Sequence, residues 1–145
     1  CDLGMAFQLA NIARDIAEDD AAGRCYLPDE WQARLDIGPG EYLRPHNRPR
    51  LTLMARWLCD EAAQYEASAR VGAAALPFRS RWAVLAAAGI YGDIARKVRA
   101  AGDHAWDHRI YTTKREKLAW TVKAGWQALR NAPPKTDREG LWTRP

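Results

Sequence analysis

Residues 3–20, LGMAFQLANIARDIAEDD, carry the pattern that most restricts how this chain can fold. At about 100° per residue, Leu3, Met5, Ala6, Phe7, Leu9, Ala10, Ile12, Ala13, Ile16 and Ala17 cover most of a helix's circumference. Such a helix belongs among other helices and not on a surface. One narrow stripe breaks the apolar cover. Gln8, Asn11, Asp15 and Asp19 follow each other by three, four and four residues and stack on one face, with Gly4 one turn earlier and Arg14 and Glu18 at the flanks.

A purely structural helix gains nothing from that stripe. Like charges at i,i+4, as at Asp15 and Asp19, cost about 0.2–0.5 kcal/mol in the open. Inside a bundle the cost rises several-fold unless something pairs them. Hard divalent cations take oxygen ligands, retain water and favour one or two carboxylates plus substrate phosphates. Asp15 and Asp19, with the amides of Gln8 and Asn11 above them, suit such a cation, and the small Gly4 leaves space for a ligand. The bare D-x-x-x-D spacing also fits a solvated acidic helix end; the whole stripe on an otherwise apolar helix argues against it.

The rest of the chain is helical in pattern, and no strand-like alternation appears, so the expected class is all-α. Gly23 suits the end of the first helix, and Arg24–Pro28 then runs extended, since the residue before a proline avoids the helical region. Asp29 can start a short helix through Arg34. Residues 36–50, with two glycines and three prolines, read as a loop or at most one turn. From Leu51 to about Ala75 a long helix places Leu53, Trp57, Leu58, Ala62, Tyr65, Ala69 and Gly72 near one face, with Asp60, Glu61, Glu66 and Arg70 largely opposite. Residues 80–101 form an alanine-rich helix whose small residues, Ala83, Ala86, Ala87, Gly89 and Gly92, suit close helix packing or the wall of a long apolar pocket; Tyr91 sits in that wall. A last helix, about Thr113–Asn131, is expected to bury Leu118, Val122, Trp126 and Leu129, and residues 132–145 read as a flexible tail.

Composition excludes several classes. With 48% hydrophobic and 28% charged residues the chain is an ordinary globular sequence. No apolar run reaches the about 18 residues of a spanning helix. Cys1, Cys25 and Cys59 form no C-x-x-C pair and leave an odd count, which suggests reduced cytoplasmic thiols. The net charge of +4 could serve nucleic acid, diphosphates or an anionic membrane, but no nucleic-acid-binding motif supports the first. His46 reads as a surface residue, and His104 and His108, though spaced i,i+4 beside Asp103 and Asp107, lack further zinc ligands.

The run L-G-x-x-x-Q-x-x-N-I-x-R-D-I-x-x-D, followed by G-R-C-Y-L-P, resembles the second aspartate-rich signature of the squalene and phytoene synthase family. Leu3, Gly4, Gln8, Asn11, Arg14, Asp15, Asp19, Arg24, Tyr26 and Pro28 carry the match, and the arginine-rich tail ending in Leu141, Trp142, Arg144 and Pro145 is similar to bacterial phytoene-forming members. The resemblance implies a helical bundle of the isoprenoid synthase type. Residues 1–131 would be the C-terminal half of a single domain, because the family's other aspartate-rich motif and its Tyr-rich signature lie upstream of this point. The start at Cys1, in mid-helix without a cap, fits that reading, and the fragment alone is expected to be inactive.

The implied reaction is head-to-head condensation of two geranylgeranyl diphosphates, through a cyclopropyl diphosphate, to phytoene. The resemblance implies Mg²⁺, or Mn²⁺ in its place, on Asn11, Asp15 and Asp19. Gln8, Asn11, Arg14, Arg24, Tyr26 and Arg109 would bind substrate, and Tyr91, in the context I-Y-x-x-I, would reach the diphosphate beside the catalytic Asp15 and Asp19. No NADPH is expected for phytoene formation. The expected setting is cytoplasmic, with peripheral contact at the inner membrane. A sister activity on farnesyl diphosphate, giving squalene, presqualene diphosphate or dehydrosqualene, is the alternative; a non-catalytic helical assembly protein is the alternative of another class.

Overall fold

The computed structural model describes residues 2–130. They form five α-helices and no strand: α1 (Asp2–Ala21), α2 (Asp29–Arg34), α3 (Arg48–Ala73), α4 (Phe78–Ala101) and α5 (Lys114–Leu129). Single 3₁₀ turns, Pro45–Asn47 and Gly102–His104, lead into α3 and out of α4. The all-α expectation holds. The expected tail, with Asn131, lies outside the described residues.

Proline and glycine set the boundaries. Helix α3 starts earlier than the sequence pattern suggests, at Arg48, because Pro49 occupies its first turn, where no helical N–H is needed. Pro77 precedes the first residue of α4, and Gly102, at φ +55°, follows its last. Helix α5 opens on a capping box: Thr113 Oγ1 accepts from the Glu116 N–H, and Glu116 Oε2 accepts from the Thr113 N–H at 2.7 Å.

Helices α1, α3 and α4 pack against one another, and α5 lies along α4. The main core runs from Ala10, Ala13 and Ile16 of α1 across Leu51, Met54, Leu58 and Ala62 of α3 to Ile94, Ala95 and Val98 of α4. Leu51 and Met54 are fully buried, each contributing about 1.5–3 kcal/mol by leaving water. Contrary to the all-round burial expected of α1, only Ala6, Ala10, Ala13 and Ile16 are buried, because α3 and α4 cover one side of it. Its polar stripe lies off that side, with Gln8 exposed and Asn11, Asp15 and Asp19 half-buried.

Two further expectations are corrected. Glu66 does not face water: its side chain is 9% exposed and bonds Arg70 at 2.7 Å and Arg96 of α4 at 3.2 Å. Its burial depends on a partner thirty residues away, and on Gly92, where a Cβ would lie 1.9 Å from Glu66 Oε2. Nor does α5 bury its large apolar row. Leu118, Val122, Trp126 and Leu129 are 66%, 66%, 55% and 70% exposed, while the buried residues are Ala124 and Ala128. Small residues face α4 because α4 offers small residues in return. Gly89 lies directly under the Trp120 ring, and Gly125 of α5 lies under Trp82 of α4. Close approach requires small side chains, so the bulky row of α5 turns away from this chain.

Candidate active site

The polar stripe ends where α1 ends. Gly23 takes φ +71°, a conformation that costs a glycine nothing, and closes a Schellman motif. The Gly23 N–H donates to the Asp20 carbonyl and the Arg24 N–H to the Asp19 carbonyl, both at 2.8 Å. This reversal turns the chain back over the helix, so that Arg24 Nη2 reaches Asp19 Oδ1 at 3.1 Å. Tyr26, two residues further, is half-exposed at the same end.

Arginines surround the stripe. Arg14 donates through Nε and Nη2 to both oxygens of Asp15, at 2.6 and 2.5 Å. That bond, more than any other influence, holds the Arg14 guanidinium above its ordinary pKa against the opposing effect of burial. Arg109 arrives from the segment after α4, with Nη1 3.1 Å from Glu18 and Nη2 3.9 Å from Asp15. Tyr91 of α4 stacks on Phe7 of α1, ring centroids 3.6 Å apart and planes 28° from parallel. The structure thus brings Asp15, Asp19, Arg14, Arg24 and Arg109 together at one end of α1. Gln8 and Asn11 lie further up the same helix, and Tyr91 lies alongside it on α4.

Arg109 is placed by contacts that span the sequence. Arg48, at the start of α3, donates to the Asp103 carbonyl at 2.8 Å and to Asp107 at 2.6 Å, and Thr52 donates to Asp103 Oδ1 at 2.6 Å. Trp106 donates its indole N–H to the Ala13 carbonyl at 3.1 Å, tying the same segment to α1. His104 bonds Asp107 through Nδ1 at 2.8 Å, and that bond, with the charge of Arg48, holds the Asp107 carboxyl below the usual range. His104 is thus part of this strap, and among the described residues no group of three His, Cys, Asp or Glu gathers to hold a metal.

Sequence reasoning missed Trp106 and Arg48, and it missed two residues under the Arg24–Pro28 segment. Tyr42 donates to Asp20 at 2.7 Å, and Gln32 donates to the Leu27 carbonyl at 3.2 Å. Only the buried polarity of a tyrosine and a glutamine beside a proline-rich loop could have signalled them.

The donor set fits a hard cation. Asn11 Oδ1 is buried and accepts no hydrogen bond, an orphaned oxygen on the same face as the two carboxylates. Among the described residues no three His, Cys, Asp or Glu side chains converge. Two carboxylates and an amide do not close a zinc site, but they leave the open positions that Mg²⁺ fills with water and phosphate oxygens.

The squalene/phytoene synthase family model matches residues 1–116. Over the whole chain, the sequence is 48% identical to the 15-cis-phytoene synthase of Pantoea ananas and 47% identical to that of Enterobacter agglomerans. It is 44% identical to the 15-cis-phytoene synthase of a Paracoccus strain, again over the whole chain. The chain spans about half the length of these relatives, 48%, 50% and 47% respectively. No solved structure shows significant similarity. With its aspartate stripe, its Schellman-turned Arg24 and a family match over most of its length, this chain belongs to the squalene/phytoene synthase family.

Proposed function

We propose that the protein of which this chain forms part is a phytoene synthase, a prenyltransferase joining two geranylgeranyl diphosphates head to head. The observation that carries this reading is the cluster of Asp15 and Asp19 with Arg14, Arg24 and Arg109 around the end of α1, in a chain 44–48% identical to bacterial enzymes of that name. Members of this family are metal-dependent. Asp15, Asp19 and Asn11 would hold Mg²⁺, which supplies neutralisation of the charge that builds on the leaving diphosphate.

The chain's own residues do the rest. Arg24 pairs with Asp19, and Arg109 with Glu18 and, at 3.9 Å, Asp15, so a diphosphate held at the stripe would meet positive charge before its C–O bond breaks. Arg14 orients the Asp15 carboxylate through two bonds. Gln8 and Tyr26, exposed near the stripe, are free to turn toward substrate, and the Tyr91 hydroxyl is a candidate donor to the diphosphate. The small apolar surfaces of α1 and α4 shelter the carbocation and the prenyl tails from water. The remainder of the site would come from the part of the protein outside this chain. Residues 1–131 are then one half of a single domain. The exposed row of α5, flanked by Lys114, Arg115 and Arg130, supports peripheral contact with an anionic membrane from the cytoplasmic side. Among the described residues no helix is long and apolar enough to cross one.

The test is product identification with the full-length protein, Mg²⁺ and geranylgeranyl or farnesyl diphosphate, with and without NADPH. A C40 hydrocarbon formed without NADPH is expected. A C30 product would replace the proposal with the squalene or dehydrosqualene reading, and no product in any arm would leave the assembly reading.

A further inference from the structure

The segment between α1 and α2 carries Arg24 and Tyr26, yet both side chains are at least half exposed, and the one ion pair from Arg24 to Asp19 is a weak anchor. Its anchors lie underneath. Leu27 is buried, and its carbonyl accepts from Gln32, which is 7% exposed. Tyr42 is 3% exposed, and its hydroxyl crosses from the loop after α2 to donate to Asp20 Oδ1 at 2.7 Å. Tyr42, Leu27, Cys25, Arg24 and Asp19 line one small cavity together. A phenylalanine would fill the same space as Tyr42, so the hydroxyl is the informative atom. It binds the residue next to Asp19, about 100° around the helix, and thus steadies the turn without competing for the Asp19 carboxylate. Burial, and then the bonds to Asp20 and Cys25, push the phenol well above its ordinary range, so it remains a donor at all working pH values.

We propose that Tyr42 is a positioning residue: through Asp20 its hydroxyl fixes the last turn of α1 and the segment behind it, and so sets where Asp19 and Arg24 stand. The proposal rests on the reading of Asp19 and Arg24 as cation- and diphosphate-facing groups.

The experiment uses the full-length protein and the variants Tyr42→Phe, Asp20→Ala and Asp20→Asn. Amide hydrogen exchange is followed in peptides covering residues 19–28 and, as an internal reference, residues 51–62. Tyr42→Phe should speed exchange at the Gly23 and Arg24 amides about tenfold, the size of one lost bond to a charged acceptor, while α3 stays unchanged. The Mg²⁺ concentration for half-maximal turnover should rise several-fold, about the same factor, with kcat nearly constant. Asp20→Ala should reproduce both effects. Asp20→Asn, whose amide oxygen still accepts from the phenol as a neutral group, should leave both closer to wild type than Asp20→Ala does. Unchanged exchange in Tyr42→Phe, or faster exchange spread evenly over α1 and α3, would overturn the proposal. Asp19→Asn serves as the separate control: wild-type turnover there would refute the cation reading, while the exchange result judges Tyr42 on its own.

Discussion

The contact between α4 and α5 makes a quantitative prediction at Gly89. A Cβ built there would lie 2.3 Å from Cε3 and 2.7 Å from Cδ2 of Trp120. Carbon atoms rest at about 3.5–4.0 Å, so the ring must retreat by about 1 Å or more. It is not free to do so. The Arg96 guanidinium lies 5.1 Å from its centroid and Lys123 Nζ 4.6 Å, and the backbone of α5 moves with it. Overpacking of this kind costs about 1–3 kcal/mol. Replacing a glycine inside a helix returns about 0.5–1 kcal/mol, and the positive-φ glycines do not include Gly89. Gly89→Ala should therefore destabilise the full-length protein by about 1–2 kcal/mol, measured by urea unfolding. In a Trp120→Ala background the clash disappears and the same substitution should stabilise by about 0.5–1 kcal/mol. An equal effect in both backgrounds, or a stabilising Gly89→Ala with Trp120 intact, would refute the reasoning.

Other outcomes follow from the site and its surroundings. Asp15→Asn or Asp19→Asn in the full-length protein should lower turnover by about 100-fold or more without loss of fold, because the removed charges repel each other; near-normal turnover in both would refute their assignment. Burial pushes the Cys59 thiol up to about 11, whereas Cys25 is exposed, so iodoacetamide at pH 8 should label Cys25 and spare Cys59 on mass analysis. The bond from Lys97, then those from Thr113, hold the Glu116 carboxyl down at about 2. A lowered value stabilises above the unfolded carboxylate range and is lost as pH falls through the folded one. The urea midpoint should thus show an acid-side step between about 4.5 and about 2 that Glu116→Gln lacks.

The parts that sequence disclosed and the parts it hid divide on physical lines. The stripe of α1 was legible because two like charges on an apolar helix are expensive, and expense calls for a partner. Helix ends were legible at Gly23, Pro77 and Thr113, where one residue's backbone or side chain decides the outcome. Glu66 was not, since a glutamate's burial depends on Arg96, thirty residues away and on another helix. Helix α5 shows a different limit. Its periodicity marks an apolar row, but periodicity cannot say which of two faces finds a neighbour, and α4 selected the alanines. Tyr42 was hidden for the same reason as Glu66: its partner, Asp20, lies on another element.

The end of α1 has a consequence beyond its chemistry. A helix gathers about half a negative charge at its C-terminus, and basic side chains there normally add about 0.3–1 kcal/mol each. The last turn of α1 contains no basic residue and instead holds Glu18, Asp19 and Asp20. The macrodipole and the carboxylates strain against each other in the same place that they jointly attract positive charge. A chain tuned for stability alone would carry lysine or arginine in that turn. The acids there are a local trade of helix stability for function, so neutralising Asp19, whose carboxylate faces the proposed cation, should raise thermal tolerance and lower turnover together.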